Sequence, residues 1–310
     1  QWPAPLHSQV ITGSNIEQSL VDGAAVGGPG PEHRQVRKHG TTAKKRMRQA
    51  LLILVCSPSS CGRLGHATGA LTRDEDLEAY LASGQFVASD RKAQKYCEAA
   101  MRFNESLTLA AGHPDPAHRS SPTTSQMGQD VLIWRNYFSA LTVRKEIGYY
   151  VDSGANDATW GSNTWFYDHC LGWKGLCVEA QFKYWHRLRT HRSCKLIKKC
   201  IGAEHKNMPW SGIGAKAGLS LERGTRDKGV RVECTPLHSM LQMAAADGQQ
   251  LIGGRDGKPA EVTFWSLDVE GAELLVLNAT LASQLTRVRV VMVESDKHVD
   301  TLEPFMRTRG

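Results

Sequence analysis

The hydrophobic and polar positions divide the chain into an unpatterned front and a patterned back. Residues 1–46 show no sustained hydrophobic period and are rich in Gly, Pro, Ser and basic residues, so they read as disordered. Met47 and Arg48 then lead into an apolar run, Ala50 to Cys56, followed by small residues. That arrangement resembles a short signal peptide starting at Met47, which implies the secretory pathway; without it the expectation is cytoplasmic. The run is too short to cross a bilayer as a helix, and no other segment approaches a transmembrane span. Residues 72–81 and 90–103 predict helices. The second has Ser89 and Asp90 as caps, with Ala93, Tyr96, Cys97, Ala100 and Met101 at helical spacing. The Pro-rich stretch 111–124 reads as a linker. Three regions follow: a disordered or targeting region at 1–70, a helical extension with its linker at 71–124, and one α/β domain at 125–310.

Within that domain the period alternates. A helix is expected from Ser125, its N-cap, to about 142, with Leu132, Tyr137, Phe138 and Leu141 as its apolar stripe. Strands are expected at 147–151, 175–178, 194–200, 262–267 and 288–293. Helices are expected at 162–169, 182–191, 237–246 and 272–285, with another beginning at 302. Between them lie a long polar, glycine-rich stretch at 204–229, a short extended segment at 230–234 and a turn at 253–259. Apolar strands alternating with helices predict a mostly parallel, Rossmann-like sheet covered on both faces.

Composition changes this picture little. The 310 residues are 41% hydrophobic and 22% charged, ordinary for a globular protein with a large core. The net charge of +7 raises the question of nucleic acid. Residues 1–48, however, hold seven Lys/Arg against three acids and so supply +4 of it. A second cluster, 183–199, has seven Lys/Arg and no acid; it reads as a solvated helix face with an edge strand, which argues against a nucleic-acid partner. Eight cysteines form no CxxC pair and no zinc spacing, so no metal site is expected. Cys177 and Cys200 fall in predicted strands and read as small core residues. Secretion would permit disulfides, which sequence cannot pair.

The chemistry lies at the strand ends. Val151-Asp152-Ser153-Gly154-Ala155-Asn156-Asp157 carries an apolar strand into an acid and a tight turn. The second strand ends at Glu179 and the fourth at Asp268, with Glu270 and Glu273 close behind. Acids along one edge of an open α/β sheet mark its ligand edge. Gly154 allows close backbone approach, and Glu179 is placed to accept bonds from ribose hydroxyls. A dinucleotide requires GxGxxG in the first turn, and here only Gly154 is present. That disfavours an NAD-dependent oxidoreductase and favours a ribose cofactor with an amino-acid tail, S-adenosylmethionine.

Three ordered motifs carry a resemblance: Val151-Asp-Ser-Gly-Ala-Asn, Gly172-Trp-Lys-Gly-Leu-Cys-Val-Glu179 and Phe264-Trp-Ser-Leu-Asp-Val-Glu-Gly-Ala-Glu273. Together they resemble the FkbM family of S-adenosylmethionine-dependent methyltransferases across about residues 125–307. Ser125-Gln126, Gln129-Asp130 and Cys234-x-Pro236-Leu237 look like weaker landmarks. The resemblance implies a class I methyltransferase fold and methyl transfer, most often to a hydroxyl of a small molecule or sugar. It further implies that Asp152, Ser153, Gly154 and Asn156 surround the methionine end of the cofactor, that Glu179 binds ribose, and that Asp268 faces the methyl centre. The sequence departs from the family at Ala158 and at Ala180-Gln181. It also ends at Gly310, before the last two strands the fold expects, so those strands are expected to be missing.

Asp268 and Glu270 are therefore the candidates for orienting or deprotonating an acceptor hydroxyl, with Asp268 also a cofactor contact. Glu273 reads as a helix N-terminal acid complementing the dipole. Glu294 reads as structural, and His205 and His238 as surface residues. The contrasting reading is a non-catalytic protein that keeps the sheet and binds a partner through 183–199.

Overall fold

The computed structural model describes residues 50–55, 74–83, 91–102, 123–126, 128–212, 217–219, 230–254, 259–295 and 299–309. Its main sheet is built from β2 (Tyr149–Ser153), β3 (Lys174–Val178), β4 (Lys195–Ile197), β10 (Ala260–Leu267) and β11 (Thr286–Ser295). These five are parallel, in the order β11-β10-β2-β3-β4. The chain runs outward from β2 in one direction to β3 and β4, and later from β10 to β11 in the other. The gap between β2 and β10 is thus the topological switch point of the sheet, where open α/β folds hold ligands.

The alternation of a pleated strand distributes side chains to two cores. Tyr149, Val151, Leu176, Val178, Trp265 and Leu267 face one core. It is closed by α6 (Leu237–Ala246), α7 (Glu273–Ser283) and α8 (Val299–Arg309), through residues such as Leu241, Val276 and Leu302. Tyr150, Cys177 and Phe264 face the other, with Ile133, Trp134, Phe166 and Met101. Those belong to the helical run 129–143, called α3, which contains a π-helical turn at Trp134–Phe138, to α4 (Trp165–His169) and to α2 (Arg91–Met101). Helices on both faces of a mostly parallel sheet match the predicted class.

Differences from the sequence reading have local causes. The helix starts at Gln129, after Gly128; the Ser125 hydroxyl, ahead of it, donates to the Asp130 carboxylate at 2.6 Å and accepts from the Asp130 N–H at 3.4 Å. The first strand begins two residues late, leaving Ile147 62% exposed, and it continues through Asp152 and Ser153. The segment expected as one strand at 194–200 is β4 and a separate β5 (Cys200–Ile201).

Two expectations about the chain's front are corrected. Residues 50–55, expected in the disordered or targeting region, form β1 (Ala50–Val55), antiparallel to β11 from Ala50 opposite Ser295 to Val55 opposite Val290. That strand completes the edge of the sheet that was expected to lie open beyond the fifth parallel strand. Met47 itself lies outside the described residues. The helical extension shares the second core through Leu81, Cys97, Ala100 and Met101, so α2 and α1 (Asp74–Ala82) pack on the α/β domain.

Cys177 and Cys200 are buried, as read, and both are paired. Disulfides join Cys97 to Cys170, Cys177 to Cys194 and Cys200 to Cys234. The first ties α2 to the residue after α4. The third crosses paired positions of β5 and β8 (Arg231–Thr235). With β6 (Lys206–Ser211) and β7 (Gly218–Leu219), these two strands form a small second sheet. It takes up part of the polar stretch for which the sequence predicted no element.

Candidate functional site

A small cleft opens at the carboxyl ends of β2, β3 and β10, at the switch point. Of the residues expected at a site, Gly154, Asn156, Glu179, Asp268 and Glu270 line it. Trp210 and Leu219 of the small sheet form an apolar wall. Nothing in the sequence pattern predicted them, because they lie in a polar stretch without a period.

Glu179 is the best-defined group. It follows β3 directly and is buried. The Asn156 N–H donates to its Oε2 at 2.8 Å and the Gln181 N–H to its Oε1 at 2.7 Å. Asn156 reaches that position with φ of 49°, a left-handed conformation in which Asn is enriched. Burial pushes the Glu179 carboxyl up, and the two amides partly offset this. Each carboxylate oxygen retains a further lone pair, so the group is fixed in direction and still able to accept two hydrogen bonds.

Asp268 sits opposite. Its N–H donates to the Ser153 carbonyl at 3.0 Å, which locks the end of β10 to the end of β2. Burial raises its carboxyl well above the ordinary range, reinforced by a hydrogen bond to Glu294 and by the charges of Glu294, Glu270 and Glu273. Glu294 was read as structural, yet a signal for the pair was present. Leu267 and Val293 are register partners on adjacent parallel strands, and each is followed by an acid. Glu273 fulfils its structural reading: it accepts from the N–H groups of Val269 at 3.1 Å and Gly271 at 3.0 Å, and holds the loop that carries Glu270. His205 and His238 do not line the cleft; His205 meets the Ser239 hydroxyl at 3.0 Å.

The structure does not bring Asp152 and Ser153 to the cleft. Asp152 points into the second core, where it accepts from the Thr164 hydroxyl at 2.5 Å and faces Arg192 at 3.7 Å. The Ser153 hydroxyl accepts from Trp265 Nε1 at 2.9 Å. Both belong to the support of the turn. The resemblance assigned them to the cofactor; both lie inside β2, before the level of Glu179 and Asp268.

The turn does not lead directly into a helix N-terminus. α4 begins eleven residues beyond Gly154, and the Thr164 and Trp165 N–H groups meet the Ser162 hydroxyl at 3.3 and 3.1 Å. The Thr159 and Trp160 amides go to Asp157 Oδ1. A pyrophosphate thus finds no open helix terminus at this turn, which agrees with the missing glycines.

Among the described residues no group of three or more His, Cys, Asp or Glu is placed to hold a metal ion, and no helix is long and apolar enough to cross a membrane. No protein-family model, curated protein or solved structure matches the chain.

Proposed function

We propose that this protein is an S-adenosylmethionine-dependent methyltransferase acting on a hydroxyl of a small molecule or glycan. The observation that carries the reading is the pre-set Glu179 carboxylate facing Asp268 across a cleft at the switch point. The residues fit such a cofactor. Glu179 holds two free acceptor positions for ribose hydroxyls, and the backbone between Gly154 and Asn156 borders the space beside it. When bound, the cofactor supplies an electrophilic methyl group on a sulfonium sulfur. Asp268, in its ionised form, would take the proton that an acceptor hydroxyl loses on methylation. Glu270 lines the same cleft and orients the acceptor. Catalysis then rests chiefly on alignment and on this proton transfer.

Titration calorimetry with S-adenosylmethionine, S-adenosylhomocysteine and NAD tests the reading. Both sulfur compounds are expected to bind and NAD is not. Glu179→Ala removes charge-assisted bonds and is expected to weaken S-adenosylhomocysteine about 100-fold. Absence of binding by the unmodified chain would overturn the reading.

Asp268→Asn separates chemistry from stability. Loss of a general base is expected to lower turnover about 10²–10⁴-fold. The sign for stability is opposite. The folded Asp268 carboxyl titrates above its unfolded value, so its contribution is fully present at low pH and is lost as pH rises through the folded value. Asn carries no charge to desolvate and can donate to Glu294. Thermal unfolding is therefore expected to show the variant gaining on the parent as pH rises from about 4, the ordinary carboxylate value. An equal offset at all pH values would contradict the shared proton.

A further inference from the structure

The basic stretch 183–199 adjoins the cleft, which Lys199 lines, and only part of its charge is used there. Of its seven Lys/Arg, Arg192 is buried against Asp168 and Asp152. Arg187 pairs with Asp157, Lys195 with Asp247 and Lys199 with Glu233. Lys183, Arg189 and Lys198 remain exposed; among the described residues none of them forms a close ion pair, although the Lys183 charge acts on Glu179 at longer range.

Two of these sit beside aromatic rings. Lys183 lies 4.4 Å from the centre of the Tyr184 ring, and Lys198 lies 5.0 Å from that of Trp185. Phe182, the first residue of α5 (Phe182–His191), is 79% exposed, an unusual place for a phenylalanine on a soluble helix. This surface meets the cleft: Gln181 lines it, and Trp185 Nε1 donates to the Glu179 carbonyl at 2.8 Å.

We propose that Phe182, Lys183, Trp185 and Lys198 form a binding site for an anionic saccharide, sulfated or carboxylated, which delivers its hydroxyl to the adjoining cleft. Cations with open faces bind sulfate or carboxylate, and exposed aromatic rings suit the C–H-rich faces of pyranose units. The three disulfides decide between polyanions. They are the chemistry of oxidising compartments, where acidic saccharides abound and nucleic acid does not. The delivery step rests on the methyl-transfer reading; the binding does not.

The test uses the full chain with its disulfides intact and a heparin oligosaccharide as probe, with neutral dextran and single-stranded RNA of matched length as controls. The expected result is saccharide binding that weakens at least about 10-fold between 50 and 200 mM salt, as polyanion contacts do. Lys183→Glu with Lys198→Glu is expected to lower that affinity at least about 30-fold, given the salt-dependent weight of each contact. Phe182→Ala is expected to lower it less, with no change in salt slope. Circular dichroism of the same variants is expected to be unchanged, and so is S-adenosylhomocysteine titration of Phe182→Ala and of Lys198→Glu alone. Absence of heparin binding, indifference to the charge reversals, or tighter binding of RNA would each overturn the proposal. Failure of S-adenosylhomocysteine to bind, with heparin still bound, would sink the methyl-transfer reading and leave this site standing.

Discussion

Arg192→Ala is expected to destabilise the fold by about 3–5 kcal/mol, because it leaves buried carboxylates without their counter-ion. For a domain of this size that lowers Tm by about 10 °C, measurable by thermal or denaturant unfolding. Arg192 side-chain exposure is 0%, and its donors are used in several directions. Nε reaches Asp168 at 2.8 Å, one terminal nitrogen reaches Ser162 at 3.0 Å, and the other reaches Thr164 at 2.6 Å and the Tyr150 hydroxyl at 3.2 Å. Burial alone opposes ionisation of Asp168, but Arg192 and the Ser193 hydroxyl outweigh it and hold that carboxyl below the ordinary range. Asp152 differs: burial prevails, and its carboxyl lies above the ordinary range despite Arg192. Arg192→Lys restores the charge but not the planar fork, so it is expected to recover only part of the loss. A loss under about 1 kcal/mol for the alanine variant, the size typical of an exposed ion pair, would contradict this account.

This network shows where sequence and structure part. The parallel sheet, its helices and the order of acids at its edge were legible because four of the five parallel strands are apolar runs that end in a carboxylate. Glu179 and Asp268 follow from that pattern and both line the cleft. Asp152 follows from the same pattern and does not, since by register it stands two residues before the level of Glu179 and Asp268, inside its strand instead of past the end. Arg192 was hidden for a different reason. It stands in a run of seven basic residues, and only the tertiary position of Asp152 and Asp168 distinguishes it from the solvated ones. The disulfides and the strand at 50–55 depend on contacts between distant segments, 73 residues apart for Cys97 and Cys170, which no local period encodes. Trp210 and Leu219 entered the cleft from a stretch whose strands exist only through pairing with β8 and with each other.

Gly154→Ala is expected to abolish detectable S-adenosylhomocysteine binding and to cost at least about 3 kcal/mol of stability, in the range of severe core lesions. The sequence suggested that this glycine admits a ligand to the backbone; the structure supplies a different reason. A Cβ at Gly154 would lie 1.8 Å from the carbonyl oxygen of Asp268, and φ there is +79°. The conflict cannot relax locally. The Gly154 and Ala155 N–H groups both donate to the Val178 carbonyl, at 3.0 and 3.1 Å, and the Asp268 N–H is tied to Ser153. Relief requires the ends of β2 and β10 to separate, which displaces Asn156 and Asp268 and opens the cleft between them. Gly248 provides the control: its φ is +88°, and a Cβ there would meet nothing within 4 Å. Gly248→Ala carries only the left-handed backbone penalty, about 1–2 kcal/mol, and leaves binding intact. The difference between the two variants isolates the steric conflict at the switch point. Equal losses in the two, with binding retained in both, would show that the close approach of Asp268 to Gly154 does not hold the cleft together.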